Sequence, residues 1–427
     1  MASFSIPLTG LNADSKALNT IANNLANMNT TAFKSQSTKF SDLFYQQLGS
    51  TGAGDPIQVG AGTQVATNET DFSQGSITST GNATDVALNG NGFFVVGEGS
   101  GSYEYTRAGN FSLTSTGGLV TTNGLDVMGY PAAGGVVNTN APLTAINIPV
   151  GQVQQPQATT SLNMTANLDA TATTIPPTSF PAQVTVYDSL GVAHIATVTY
   201  TKTGANTWDY SAALPASDFS SGISTPVTGS MNFDMNGNMS SVTAGGVTSP
   251  VGTGSGKIAA IPLSFTGLAD GAGDLNINWS LLGSGGTPSV GQVNASSAVS
   301  ATTQDGYAPG QYQSFSIGSD GTVTASYSNG QKQIVGQLAL ANVTNVQGLQ
   351  MLGDGDYATT RASGTASIST SGTAGLGTLQ DGAIEASNVN ISAEFSNLII
   401  AQRAFEANSK AVTTFDTVTQ ETINMIH

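Results

Sequence analysis

His194 and His427 are the only side chains in this 427-residue sequence whose ordinary pKa lies near neutrality. A centre built from several imidazoles therefore cannot be assembled within one chain. His194 sits in a stretch of strand-like alternation, where a lone histidine reads as a packed or surface residue. No His-Glu-x-x-His, Walker or Gly-x-Ser-x-Gly pattern occurs. The glycine-rich runs at 97–101 and 252–256 lack the strand, glycine and helix order of a dinucleotide site and read as turns. Gly353-Asp354-Gly355-Asp356-Tyr357 brings two carboxylates close together, but without the ligand series and terminal Glu of a calcium loop it reads as a surface turn. Cysteine is absent, which removes thiolate nucleophiles, disulfides and cysteine-ligated zinc. The expectation is a protein that is not an enzyme, with no catalytic residue, no cofactor and no metal site.

Cations are scarce: 10 Lys and Arg stand against 26 Asp and Glu, for a net charge of −16. Wrapping nucleic acid requires many phosphates to be neutralised, and an anionic membrane surface makes the same demand, so neither is expected as a partner. Arg107, after Tyr103 and Tyr105, is expected to pair with an acid in its own domain or across a subunit contact. Arg403 and Lys410, seven apart, lie on one side of a helical stretch and could meet Asp14 or an acid of a neighbouring copy. Residues 1–11 show no basic region followed by an apolar run, so any export is expected to use no cleaved signal. No apolar stretch is long enough to cross a bilayer.

The elements that would position these residues are set by the two ends of the chain. Residues 390–426 contain no Gly and no Pro, which predicts one long helix. Leu398, Phe405 and Val412 are spaced by seven, and Ala401 and Phe415 fall on the neighbouring seam, interrupted by Asn408, Thr419 and Thr422. Near the other end Leu11, Leu18 and Leu25 are also spaced by seven, with Ile21 and Met28 beside them. Asn12, Asp14, Lys16, Asn19, Asn23 and Asn24 are expected to turn mostly away from that seam. Two readings stand: an antiparallel stem closing a monomer, or helices that also pack on other copies in a filament.

Between the ends the period is two. Residues 31–47 read as a short helix or an extended arm, with Phe33, Phe40, Leu43, Phe44 and Leu48 along it, and 49–62 read as a flexible connection. Strands are expected at 63–68, 85–88, 93–96, 103–106, 111–114 and 119–121, then at 162–168, 182–187, 194–201, 208–213, 229–233, 258–262 and 275–279. Alternation resumes at 315–317, 323–327 and 333–340, with a hairpin turn at Ser328-Asn329-Gly330. The fold class is mainly β with long α-helical termini: nested discontinuous β domains on an N-/C-terminal coiled-coil-like helical domain. Residues 1–30 and 385–427 form the helical core domain, 31–62 a connecting arm, 63–150 and 299–384 an inner discontinuous β domain, and 151–298 an inserted outer β domain.

Three ordered blocks of residues carry a family resemblance. Gly10-Leu11, Ala13, Leu18, Ile21, Asn23-Asn24-Leu25-Ala26-Asn27 and Thr31-Ala32-Phe33-Lys34 form the first. Phe72-Ser73-Gln74-Gly75, Asp85-Val86-Ala87-Leu88, Gly90, Gly92-Phe93-Phe94-Val95-Val96 and Tyr105-Thr106-Arg107-Ala108-Gly109-Asn110-Phe111 form the second. Glu385, Ser387-Asn388-Val389, Glu394, Gln402-Arg403, Phe405, Ala407-Asn408 and Lys410 form the third. Together they resemble the axial proteins of the bacterial flagellum, the rod, hook and hook-associated family. The chain's length and Thr31-Ala32-Phe33-Lys34, where many rod members have Thr-x-Gly-Phe-Lys, are similar to the hook members.

The resemblance implies a structural subunit that leaves the cell through the flagellar export apparatus and assembles beneath a hook cap. Its implied partners are many copies of itself in a curved helical tube, with distal rod proteins at one end and hook-filament junction proteins at the other. It would sit outside the cell, attached to the basal body, as a flexible joint transmitting torque. The terminal helices would form the inner tube, residues 31–62 an arm reaching adjacent subunits, and the β domains surfaces that slide as the joint turns. A distal rod or hook-associated paralogue is the nearest alternative, and a secreted β-rich adhesin a more distant one.

Overall fold

The computed structural model describes residues 5–44, 46–50, 56–98, 101–283 and 285–425, without the side chains of 46–48, 56 and 57. It is mainly β, with a helix at each end: α1, Ser5–Ala26, and α2, Ile391–Met425. By contacts the chain forms two compact units, one of residues 1–150, 314–326 and 332–427, the other of residues 151–313 and 327–331.

In the first unit, α1 is followed by a two-stranded ribbon, the extended alternative rather than a second helix. Gln36–Asp42 pairs antiparallel with Thr63–Thr70, and Gln46–Ser50 with Pro56–Val59 further out. Residues 63–68, assigned above to the β domain, therefore belong to the ribbon. Only Thr70 of the Thr63–Thr70 strand is buried, so its alternation records two solvated faces, not a core.

The sheet beyond the ribbon takes Lys332–Leu338, Asp126–Ala133, Phe93–Gly97, Tyr103–Thr106, Asp356–Ala358 and Gln350–Gly353 in that order, all antiparallel. Phe93, Val95, Tyr105, Met128, Tyr130 and Tyr357 are part of its core. Phe72, Phe93 and Tyr357 meet with ring centroids 5.6–5.9 Å apart, two of the three pairs edge to face. Two short pairings join early strands to late ones. Val86–Asn89 pairs with Thr378–Asp381, and Ile77–Ser79 with Ala383–Glu385. The last pairing delivers the chain directly to α2.

The second unit has two sheets around one apolar core. Six strands from Ser179–Tyr187 to Val247–Pro250 run as an antiparallel meander. Ala260–Phe265, Leu275–Ser280, Ser161–Asp169 and Val290–Val293 form the other sheet, with Ala298–Gln304 also on Ser161–Asp169. Trp208, Trp279, Tyr200 and Tyr210 fill the core. The strands Met239–Ala244, Val247–Pro250, Val290–Val293 and Ala298–Gln304 escape the sequence reading because they are short or carry small and polar residues, so few large apolar positions mark a face.

Candidate functional site

The two helices pack antiparallel within the chain. Asn24 Nδ2 donates to Glu394 Oε1 at 3.0 Å, and Asn408 Nδ2 donates to Asp14 Oδ2 at 2.8 Å. Gly10 lies against Asn408 so closely that a Cβ there would sit 2.7 Å from the amide nitrogen. Asn408 thus occupies its seam position because it faces a glycine and a carboxylate. The expected partner of Asp14, Arg403 or Lys410, is not the one observed: Arg403 pairs with Glu406 on its own helix at 3.1 Å. Gln402 and Lys410 are exposed.

The buried face of α1 is not the leucine seam. Pro7, Ala13, Thr20 and Asn24 are buried, while Leu11, Leu18, Ile21 and Leu25 are half-buried and Met28 is 38% exposed. Asn24, expected to turn away, is wholly buried. Its amide donates to Gln36 O at 2.8 Å and accepts from Gln36 N at 2.9 Å, while Thr38 Oγ1 donates to Thr20 Oγ1 at 2.9 Å. The reason is geometric: α1 lies against a strand whose backbone and hydroxyls need partners, so small polar residues take the close face. Asn23 is exposed and holds Asn27, whose side chain accepts from Thr30 at 3.1 Å and steadies the turn after the helix.

On α2 the only buried residue is Ala401. Leu398, Phe405, Val412 and Phe415 are half-buried. A cleft of about 330 Å³ remains beside the pair, with Ala17 and Ile21 on one wall, Ile400 and Ala404 on the other, and Phe40 at its edge. Ile391, Phe395, Ile399, Ile400, Val418 and Ile423 are 45–67% exposed. From Asn408, α2 runs on to Met425, about 25 Å, whereas among the described residues α1 beyond Gly10 offers Ser5–Thr9 alongside.

The helical pair meets the β unit at a buried ionic junction. Glu385, fully buried, accepts from Lys34 Nζ at 2.6 Å and from the Gly75 amide at 2.8 Å through Oε1, and from Arg107 Nη1 at 3.3 Å through Oε2. Lys34 Nζ also donates to Ser73 O at 2.7 Å, and Arg107 Nη2 to Gly90 O at 2.8 Å. Arg107 thus takes the within-domain partner, with its guanidinium 5.5 Å above the Phe93 ring. Burial lowers the pKa of both cations, and Glu385 partly restores each. Asn388 closes the junction, accepting from Ser35 N at 2.7 Å and donating to Asp71 O at 2.8 Å. The half-buried Phe33 adds its carbonyl, which accepts from Asn388 N at 3.2 Å.

Glu385 and two glycines were not singled out as a centre by the sequence alone. A Cβ on Gly75 would lie 1.9 Å from Ala386 O, and one on Gly109 1.7 Å from Val86 O. Their signal is that each glycine adjoins a polar residue of the quoted blocks, but nothing local shows which backbone approaches. Along the ribbon, Phe40 is 48% and Phe44 92% exposed, and Leu43 is half-buried with its amide bonded to Gly62 O at 2.8 Å. The side chain of Leu48, another arm residue, lies outside the described residues, as does His427.

Residues 6–34 match the family described as "Flagella basal body rod protein", and 380–425 "Flagellar basal body rod FlgEFG protein C-terminal". Residues 87–169 match "Flagellar hook protein FlgE/F/G D1 domain", and 154–307 "Flagellar basal body protein FlaE D2 domain". The chain is 36% identical to the "Flagellar hook protein FlgE" of Escherichia coli (strain K12), over 99% of both chains. It is 37% identical to that of Salmonella typhimurium, over 99% of this chain and all of the other. The hook protein of Treponema pallidum is 34% identical over 98% of each. The crystal structure of Helicobacter pylori flagellar hook protein FlgE2 shares the fold at a TM-score of 0.53 and 16% identity, covering 71% of this chain and 99% of its own. With full-length identity above 30% to these hook proteins and a matching block at each end, the chain belongs to the flagellar hook protein FlgE family.

Proposed function

We propose that this chain is the structural subunit of a bacterial flagellar hook, polymerising through its terminal helices into the curved tube that carries torque from rod to filament. It is a mechanical component rather than an enzyme and lies outside the cell, attached to the basal body. The carrying observation is that α2 leaves Ile391, Phe395, Ile399 and Ile400 exposed in its first three turns and Val418 and Ile423 near its far end, beside an incompletely filled seam with α1. Exposed apolar clusters at both ends of one helix call for other copies to cover them. Leu11, Leu18, Ile21, Leu25, Leu398, Phe405, Val412 and Phe415 serve both contacts in this reading: half covered within the chain, fully covered in the tube.

The ribbon carries Phe40 and Phe44 to adjacent subunits. The buried Glu385 junction fixes the direction in which the helices leave the β unit, so that every copy presents them alike. The sparsely charged, Gly-, Ser- and Thr-rich β surfaces make weak contacts with neighbours that shift as the tube turns. Distal rod and hook-filament junction proteins bound the polymer, a cap guides its growth, and the export apparatus delivers the chain. The nested order of helical core, inner β domain and inserted β domain belongs to the same reading. A distal rod or hook-associated role is disfavoured by the full-length match to hook proteins in both directions.

Electron microscopy of the full-length protein beside a version lacking residues 1–30 and 390–427 tests the assembly. Tubes from the first and soluble monomers from the second are expected. Ordered monomers from both, across several salt and temperature conditions, would overturn it.

A further inference from the structure

His194 lies in the second unit, in the strand Ala193–Gly204, with its side chain 5% exposed. Its Nδ1 is 2.8 Å from Asp218 Oδ2, and its Nε2 is 3.3 Å from Asp188 Oδ2 and 3.6 Å from Asp270 Oδ2. The three aspartates come from three separate connections, Asp218 from the short 3-10 helix Ala216–Asp218. Each has its other oxygen occupied: Asp188 Oδ1 by the amides of Leu190 and Val192 at 2.9 and 2.8 Å, Asp270 Oδ1 by Ala272 N at 3.0 Å, and Asp218 Oδ1 by Ser217 Oγ at 3.2 Å. The oxygens that remain are the ones aimed at the imidazole.

This division of labour would suit a metal centre. A carboxylate accepting from Nδ1–H fixes the tautomer and turns the Nε2 lone pair outward, here between two further carboxylates. Asp188, His194 and Asp270 each offer one ligand atom such that all three lie within 4.8 Å of one another. A tetrahedral ion with bonds of about 2.0–2.1 Å has ligand–ligand edges of about 3.3–3.4 Å, close to the two separations from Nε2. The charge agrees. Asp188 is wholly buried, Asp218 and Asp270 are 20% and 24% exposed, and among the described residues no Lys or Arg is paired with any of them. One imidazolium cannot balance three carboxylates in a partly buried site, whereas a divalent ion on a neutral imidazole does so more fully.

We propose that His194 Nε2, Asp188 Oδ2 and Asp270 Oδ2 bind one first-row divalent cation of the zinc type, with Asp218 positioning the imidazole. A nitrogen ligand in the set favours such an ion over calcium or magnesium. Solvent reaches the site beside Asp270, which leaves room for a water to complete the coordination. The ion would tie the segments bearing Asp188 and Asp270 to the strand bearing His194, giving this part of the subunit a cross-link in a chain without cysteine.

The test uses the full-length soluble protein, stripped with a chelator and titrated calorimetrically with zinc chloride, and with cobalt(II) followed by visible absorption. Expected are one saturable site per chain, a raised melting temperature, and cobalt bands of a low-coordinate N/O site. Asp270→Asn should weaken zinc binding at least tenfold while leaving the metal-free melting temperature near that of the parent. The His194 imidazole NMR signals of the unaltered protein should shift on adding zinc, a readout that does not depend on any variant folding. No binding, equal binding in Asp270→Asn, or His194 signals unmoved by zinc would overturn the proposal and leave an imidazolium held by carboxylates.

Discussion

Lys34 Nζ lies 2.6 Å from Glu385 Oε1, joining residues 351 positions apart at a point where neither side chain reaches solvent. Arg107 shares the same carboxylate, so the pocket holds two cations on one anion. Removing the anion leaves both cations buried without a counter-charge, whereas removing Lys34 leaves a balanced pair. Glu385→Gln is therefore expected to lower the stability of the first unit by about 3–5 kcal/mol, and Lys34→Met by clearly less. Denaturant titration of the soluble monomer, followed by a probe in the first unit, checks both, and equal effects would contradict the shared-anion account.

Ile399 is 58% exposed in the single chain, while Phe405 is half-buried. Ile399→Asp should therefore leave the monomer's melting temperature unchanged and still prevent tube formation, because its apolar partner would be another copy. Phe405→Asp should impair both. Electron microscopy with calorimetry separates the two, and normal tubes from Ile399→Asp would exclude that face of α2 from the assembly contact.

Ala32 has φ of 56°, the left-handed region that a Cβ disfavours, and its amide donates to Glu385 O at 2.8 Å. Ala32→Gly keeps that bond and relieves the strain, offset in part by the greater freedom of glycine in the unfolded chain. A gain in stability of up to about 1 kcal/mol is expected by thermal melting. A loss would mean that the methyl group packs usefully on its neighbours.

Asp305 ties the two ends of the second unit's edge together, accepting from the amides of Thr160 and Ser161 at 2.8 and 2.9 Å and from Thr160 Oγ1 at 2.6 Å. Burial alone would raise its pKa, but these bonds outweigh it and hold the carboxyl below its ordinary 3.8. A depressed carboxylate contributes stability that is present above the ordinary value and lost as pH falls through the lowered one. Asp169 and Asp234 are depressed in the same direction by their own turns. The second unit should thus melt progressively earlier below about pH 4, and Asp305→Asn should flatten that dependence by one carboxylate's share while lowering the melting temperature at neutral pH. Melts across the acid range, read by tryptophan fluorescence from Trp208 and Trp279, measure it.

Much of this protein is legible in one dimension, because the signals are local. The absence of Gly and Pro from residues 390–426 sets the start of α2 to within a residue and its unbroken run to the last described residue, and period-two alternation marks Tyr103–Thr106 and the strands around it. The three residue blocks carried the family and its implied assembly without any coordinates. The heptad of leucines in α1 did not say which neighbour it would meet. Only the tertiary structure placed a polar strand on that helix, burying Asn24 and Thr20 and leaving Leu11, Leu18 and Leu25 half open. The convergence of Lys34, Arg107 and Glu385, and of His194 with Asp188, Asp218 and Asp270, likewise depended on chain segments far apart in sequence. A periodicity reports what a residue's own backbone does, whereas a charge pair or ligand set depends on which distant strand the fold lays beside it.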